Sequence, residues 1–392
     1  MTTIKEKDQP LGEYSIKVIT SIDEFKKLKI IWDELAANGG SYFPYLCFDF
    51  FRIWLEHFLA HDKLLILQIC RGDRVLAIAP FVIKQGRYKG VNTIKIELIG
   101  NAYSPIRFFM FAKLEKEEKE VILLVVLDFF KKIYKRWDII DLNSIIEEHK
   151  NLSIVKSALS KSGLKNNEYF CFGNCYEDVI QFPSDIYFKS LSKNFRASIR
   201  KNRNRAQEQG KLEFQMITGC EGLEGFIELY FKVYEKSWKE RETFGPEYLM
   251  DHIKDLAEKG WLRLGLVYLN RAPIAVGFGA AYGGVAYLEK TAYDEEFENI
   301  GAGKLWYAEM IKYLIDVDKV TCIDLLIGDY EYKKNWVSRR RERKGVLIFN
   351  KRLKGIWLNL MIVKILPSVQ GYRYLRKIKE LIARRLMKNN LT

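Results

Sequence analysis

Six cysteines in 392 residues, none of them in a CxxC pair, leave no thiolate framework for a zinc site or a redox couple. No charged, apolar, cleavable leader opens the chain at Met1, so a reducing cytoplasm is the expected compartment. Long apolar runs are missing as well. The longest, Ile356 to Leu366, is interrupted by Asn359 and Lys364 and is far shorter than the roughly 20 residues a spanning helix needs. The phosphate cradle GxxxxGKS/T and the six-position GxGxxG are absent, which removes support for an NTP or a nicotinamide site. His57 and His61 stand four apart without the glutamate of HExxH, and Cys171 and Cys175 have no further ligand nearby, so no metal is expected. Acid is scarce at the C-terminus. From Lys351 to Thr392 a single glutamate, Glu380, faces eleven Lys or Arg, and this tail holds most of the net charge of +14.

What is present is a globular composition, 48% hydrophobic, in a chain too long for one ordinary core. Two domains are expected, 1–182 and 183–350, followed by a basic tail, 351–392. The order of elements predicts a mixed α/β fold in both halves. Tyr14 to Thr20 reads as a strand, and Ser21 to Glu24 has capping-box spacing ahead of a helical face of Phe25, Leu28, Ile31 and Leu35. An aromatic helix from Cys47 to Leu59 precedes strands at Leu64 to Cys70 and Val75 to Lys84, which turn at Arg71-Gly72-Asp73. Further strands are expected at Ile94 to Ile99, Ile106 to Phe111 and Ile139 to Leu142, with a helix from Glu115 to Tyr134. In the second half one basic helix is expected over Lys189 to Gln209, then a strand at Leu212 to Thr218. Helices follow at Leu223 to Glu240 and Pro246 to Lys259, with strands at Leu262 to Leu269, Pro273 to Tyr282, Val285 to Tyr293 and Cys322 to Ile327. Gly283-Gly284 is a tight hairpin signal.

Chemistry concentrates in two segments. Gly301 and Gly303 open a helix with Leu305, Ala308, Ile311 and Ile315 on one face. Their missing side chains would let a phosphate approach the helix amides, and Lys304 adds charge; a plain turn and cap is the competing account. Gly328-Asp329-Tyr330-Glu331-Tyr332-Lys333-Lys334-Asn335-Trp336 follows a strand end, where Tyr332 can protonate a leaving thiolate and Lys333 can fix an anion. The competing account is a cap from Asp329 with Tyr332 and Trp336 packed as core. Glu289, on the same strand face as Tyr287 and Thr291 by alternation, is the candidate base, with Asp294 and Asp329 as alternatives. The run from Lys189 to Arg205 holds Arg196 and Arg200 one turn apart, either as a solvated face or as a phosphate reader.

These residues carry a family likeness. Residues 183 to 350 resemble the GNAT acyltransferase superfamily, in its CelD-like, FemABX-related branch. The likeness rests on Leu191-Ser192-Lys193-Asn194-Phe195-Arg196 leading into a basic helix, on the long strand pair, on the Gly301-Ala302-Gly303 helix start, and on Gly328-Asp329 followed by Tyr332-Lys333 and Trp336. Residues 14 to 181 resemble the degenerate first GNAT-like domain of such chains, including the aromatic segment Tyr42 to Trp54. The resemblance implies two tandem GNAT-like domains, each a mixed sheet flanked by helices. It implies an acyl-CoA donor, preferably acetyl-CoA, with its pyrophosphate against Gly301, Ala302, Gly303 and Lys304, Lys333 nearby, and the pantetheine arm between the Val285 and Cys322 strands. Glu289, Tyr332 and Asp329 would be catalytic, and Arg196, Arg200, Tyr287 and Asp294 would meet the acceptor. Glu298 stands where the family's pyrophosphate loop has Arg or Gln.

The acceptor implied is a primary amine, preferably a nucleotide-linked amino sugar of surface polysaccharide. A lipid-like amine and FemX-like transfer from aminoacyl-tRNA to a cell-wall precursor are the alternatives. A rival of another class is a basic adaptor without catalysis, binding membrane or nucleic acid; nucleic acid is the less expected partner. The tail from Tyr372 to Lys388 places Tyr372, Leu375, Ile378, Ile382 and Leu386 near one side of a helix with its cations largely elsewhere. That pattern suits an anionic membrane surface on the inner face or a packed helix with solvated charges.

Overall fold

The computed structural model describes residues 9–38, 43–145, 150–178, 183–239 and 246–365. The first half runs β1 (Gln9–Leu11), β2 (Tyr14–Ile19), α1 (Ile22–Lys26), α2 (Lys29–Asn38), α3 (Phe48–Phe58), β3 (Lys63–Arg71), β4 (Arg74–Tyr88) and β5 (Val91–Leu98). It continues through β6 (Met110–Phe111), α4 (Lys116–Lys132), β7 (Ile139–Ile145), α5 (Asn151–Ser162) and β8 (Lys165–Asp178). The second half runs α6 (Ser184–Ser190), α7 (Lys193–Gln209), β9 (Leu212–Ile217), α8 (Leu223–Glu235), α9 (Pro246–Glu258), β10 (Leu262–Leu269), β11 (Ala272–Tyr282) and β12 (Val285–Tyr293). It ends with α10 (Ala302–Asp316), β13 (Cys322–Ile327), α11 (Glu331–Lys334), β14 (Arg339–Phe349) and α12 (Leu353–Leu360). Among the described residues no helix is long and apolar enough to cross a membrane.

All the strands join one mixed sheet in the order β1-β2-β3-β4-β5-β7-β14-β8-β13-β12-β11-β10-β9, with β6 beside β4. Each half repeats one plan: an antiparallel run, then a parallel neighbour reached through a helix, β5 to β7 by α4 and β12 to β13 by α10. A last strand then crosses over. β8 ends the first half but pairs with β13, while β14 ends the second half and pairs with β7. The two crossing strands also pair with each other along their whole length. Backbone hydrogen bonds thus run across the middle of the sheet without an edge there.

Local chemistry explains the elements. Ser21 caps α1 by accepting from the Glu24 amide at 3.2 Å, and Glu115 with Glu118 forms a capping box at α4. The expected single helix over Lys189 to Gln209 is two helices. The chain is extended at Leu191 and Ser192, and the Ser192 hydroxyl accepts from the Phe195 amide to start α7 afresh. Of the strand expected at Ile106 to Phe111 only Met110 and Phe111 pair as a strand; Arg107 makes an isolated bridge to Ile145. The helix expected to Glu240 ends at Glu235, and Glu240 itself lies outside the described residues. Gly283 and Gly284, both at positive φ, turn the β11–β12 hairpin.

The first half buries Trp32, Trp54, Phe81, Phe108 and Trp137 in one core cluster with its strands. Trp137 donates its indole N–H to the Phe130 carbonyl at 2.9 Å, so its polar atom is satisfied inside the core. In the second half α10 packs on one face of the sheet through Leu305, Trp306 and Ile311. Helices α8 and α9 cover the other through Ile227, Tyr230 and Ile253.

Candidate active site

Two neighbouring parallel strands part company at the centre of the second half. β12 and β13 pair only over Val285–Tyr287 with Cys322–Asp324. Beyond that point β12 follows β11 to Tyr293, while β13 leans toward β8 through an irregular step before Ile327. Asp324 shapes the step. Fully buried, it accepts from the Asn174 side chain at 2.6 Å and the Leu326 amide at 2.7 Å, and pairs with Arg341. The opening therefore lies at the carboxyl ends of two parallel strands, where ligands enter open α/β sheets.

A bulge on β12 sorts side chains to the two faces of this opening. Phe278 pairs with Lys290 but Gly279 pairs with Leu288, which leaves Glu289 as the extra residue. Ala286 and Leu288 pack on the α10 side. After the bulge the alternation is reversed: Thr291 and Tyr293 line the α10 side, and Ala292 joins the α8–α9 core. The expectation that Glu289 shares a face with Thr291 fails for this reason. Strand alternation holds only while every residue has one partner.

On the α10 face lies a cleft of about 490 Å³. The helix starts at Gly301, whose φ of +66° favours glycine, and a Cβ there would collide with the Asn202 side chain of α7. No side chain caps α10; the Gly301 amide donates to the Glu298 carbonyl and the Lys304 amide to the Gly301 carbonyl, which leaves the amides of Ala302 and Gly303 to meet an anion. Lys304 donates to Ser198 Oγ at 3.1 Å and lies over the Phe195 ring; burial lowers its pKa. The walls are aromatic. Tyr307 stacks on Trp336 at 5.5 Å between ring centres, Phe195 meets Trp336 edge-on at 4.8 Å, and Tyr332 lies 6.0 Å from Tyr307. Burial raises the Tyr332 pKa, which keeps its proton in place. Glu298 also lines this cleft.

Lys239, like Trp238 and Tyr307, lines this cleft without having been marked in the sequence. It donates to the Thr291 carbonyl, and burial, then the charges of Lys290 and Lys333, lower its pKa to about 8. It follows the last turn of α8, where no periodicity marks it.

The opposite face carries a second cleft, of about 260 Å³, lined by Ala102, Tyr103, Pro105, Glu289, Lys290, Leu326 and Ile327. Both oxygens of Glu289 lie 3.0 Å from His252 Nε2, and the Tyr45 hydroxyl donates to Oε1 at 3.2 Å. A segment of the first half and a helix of the second therefore fix this carboxylate together. His252 is 2% exposed, and its Nδ1 has no hydrogen-bond partner among the described residues. Burial alone would lower its pKa, but the adjacent Glu289 carboxylate outweighs burial and raises it. Tyr45 belongs to the aromatic segment Tyr42 to Trp54 that the sequence marks, but its bond to Glu289 was not legible there, and His252 did not stand out at all, because each acts through a partner far along the chain.

The remaining expected residues are elsewhere. Tyr287 is core, packed against Phe43 and Tyr45. Asp294 is buried, accepting from Lys236 Nζ at 2.8 Å and capping the Glu296 amide at 3.1 Å. Lys333 donates to the carbonyls of Leu325 and Ile327, both at 2.6 Å, and so secures the chain leaving β13. Burial lowers its pKa to about 8. Asp329 pairs with Arg340 at 2.6 Å. On α7, Arg196 donates to the Lys189 carbonyl at 2.7 Å and Arg200 is exposed; neither lines the α10 cleft. His57 pairs with Asp251 at 2.8 Å, and no group of metal-ligating side chains exists among the described residues. Tyr42 and the stretch 372–388 lie outside the described residues.

Residues 193–334 match the model of the acetyltransferase (GNAT) domain, and no curated protein matches the chain. The crystal structure of FemX superposes with a TM-score of 0.53 at 14% identity, over 88% of this chain and 99% of its own. L-PGS from Bacillus licheniformis gives 0.47 at 10% identity, over 82% and 96%. A tandem GNAT protein from the clavulanic acid biosynthesis pathway gives 0.44 at 10% identity, over 85% and 98%. Residues 193–334, about a third of the chain, thus match the GNAT domain model, and the chain has the fold of FemX.

Proposed function

We propose that this chain is an acyl-CoA-dependent N-acyltransferase acting on a primary amine. The observation that carries it is the opening between β12 and β13, with an uncapped glycine-started helix on one face and a doubly held carboxylate on the other. The donor's pyrophosphate lies at the Gly301 to Lys304 helix start, against the amides of Ala302 and Gly303, and its thioester reaches the opening. The acceptor enters from the Glu289 side.

The amine nitrogen attacks the thioester carbonyl carbon. A C–N bond forms and the C–S bond breaks. The proton lost by the amine passes to Glu289, directly or through one water. The departing thiolate takes a proton from Tyr332, and no covalent enzyme intermediate is needed. The aromatic walls keep water from the thioester.

The acceptor we favour is a nucleotide-linked amino sugar of surface polysaccharide, with acetyl-CoA as donor. Glu289 and Lys290 side by side in the second cleft suit an ammonium close to a phosphate. The test is release of free CoA from acetyl-CoA with a panel of amino sugars and long-chain amines. Thiol release that requires the amine supports the proposal. Transfer from aminoacyl-tRNA with no thiol release from any acyl-CoA would replace it.

A further inference from the structure

Where the end of β14 meets the first half of the chain, a third cleft of about 350 Å³ is lined by Lys131, Lys135, Lys351 and Arg352 over a floor that includes Phe130 and Trp137. Lys131 pairs with Asp128 at 2.7 Å. Lys135, Lys351 and Arg352 have no carboxylate partner among the described residues. Helix α12 begins at the rim of this cleft, directly after Arg352. Its inner side is anchored by Leu358, packed with Ile139, Leu347 and Phe349. Its outer side presents Leu353, Ile356, Trp357 and Leu360, at 86%, 52%, 44% and 44% exposure. That spacing of i, i+3, i+4 and i+7 makes one continuous apolar stripe.

We propose that this corner docks on an anionic phospholipid surface, with a lipid phosphate in the cationic cleft and the α12 stripe in the acyl boundary. The charge around the patch selects the occupant. A free phosphate would satisfy the cations and leave the stripe in water; an apolar protein surface would cover the stripe and leave the cations unpaired. An anionic bilayer offers both chemistries in the same plane. The sequence beyond residue 365 adds seven Lys or Arg against Glu380, of the same sign as the cleft. The inference does not depend on which donor or acceptor the other two clefts take.

The experiment is flotation of the full chain with phosphatidylcholine vesicles, with and without phosphatidylglycerol, at low and high salt. Binding should require phosphatidylglycerol and weaken with salt. Lys351→Glu with Arg352→Glu, and separately Ile356→Ser with Trp357→Ser, should each lower partitioning about tenfold or more, with the thermal midpoint unchanged. Equal binding to pure phosphatidylcholine overturns the proposal. So does binding that neither variant pair alters, which would assign it to the tail alone. A dimer that Ile356→Ser with Trp357→Ser dissociates, without vesicle binding, would make the stripe a contact between copies. Inorganic phosphate binding to a chain that ignores vesicles would make the cleft a site for the free anion.

Discussion

His252 Nε2 faces both oxygens of Glu289 at the same 3.0 Å, so a single imidazole N–H is shared across the carboxylate. The geometry orients Glu289 without consuming it, since Tyr45 reaches only Oε1. Glu289→Gln removes the base and keeps the shape. Turnover should fall by about 10²–10⁴-fold with little change in CoA affinity, as measured by steady-state kinetics beside donor titration. Turnover equal to wild type would reject Glu289 as the base.

His252→Phe tests positioning. The substitution leaves the carboxylate in place but frees it to rotate, so kcat should fall while KM for the donor holds. The pH profile should also shift, because the group that faces Glu289 no longer titrates. A kcat and pH profile identical to wild type would confine His252 to packing.

Gly301→Val places a side chain where φ is +66° and where Asn202 already fills the space. Stability should fall by about 1 kcal/mol or more, and CoA affinity should fall with it. Asn202→Ala in the same background relieves the collision but not the backbone strain, so it should recover part of the stability. Thermal unfolding and donor titration read the two effects separately.

Lys239 and Lys333 predict an alkaline stability window. Burial holds both at about 8 in the folded chain, against 10.5 when unfolded. Between those values the unfolded chain binds the protons that the native chain has released, so unfolding free energy rises with pH. Lys333→Met should remove about half of that rise. It should also cost about 2 kcal/mol or more at neutral pH, because the carbonyls of Leu325 and Ile327 lose their donor. Urea unfolding across the window measures both.

The sequence made the apolar elements legible and left the charged ones obscure. β12 and β13 are bounded in the structure as the sequence predicts, since the consecutive residues Ala286 to Leu288 and Ile323 to Leu326 are buried and both faces of each strand are therefore covered. β14 was not legible, because it opens with Arg339, Arg340 and Arg341. Each of these finds a carboxylate that only the fold supplies: Asp178, Asp329 and Asp324. β8 was hidden by its polar alternation, and its partners lie far along the chain. The Gly301 helix start could be read from local pattern. The pairing of Glu289 with His252 and Tyr45 could not, since it depends on a bulge and on residues 37 and 244 positions away.

Calorimetric titration of CoA into the full chain, beside the Gly301→Val variant, tests the central claim most directly. Wild type should bind one CoA at the α10 cleft, and Gly301→Val should weaken that binding at least tenfold while remaining folded. A folded wild-type chain that binds no CoA at millimolar concentration, or a variant that binds it equally well, would contradict the assignment of this cleft to an acyl-CoA donor.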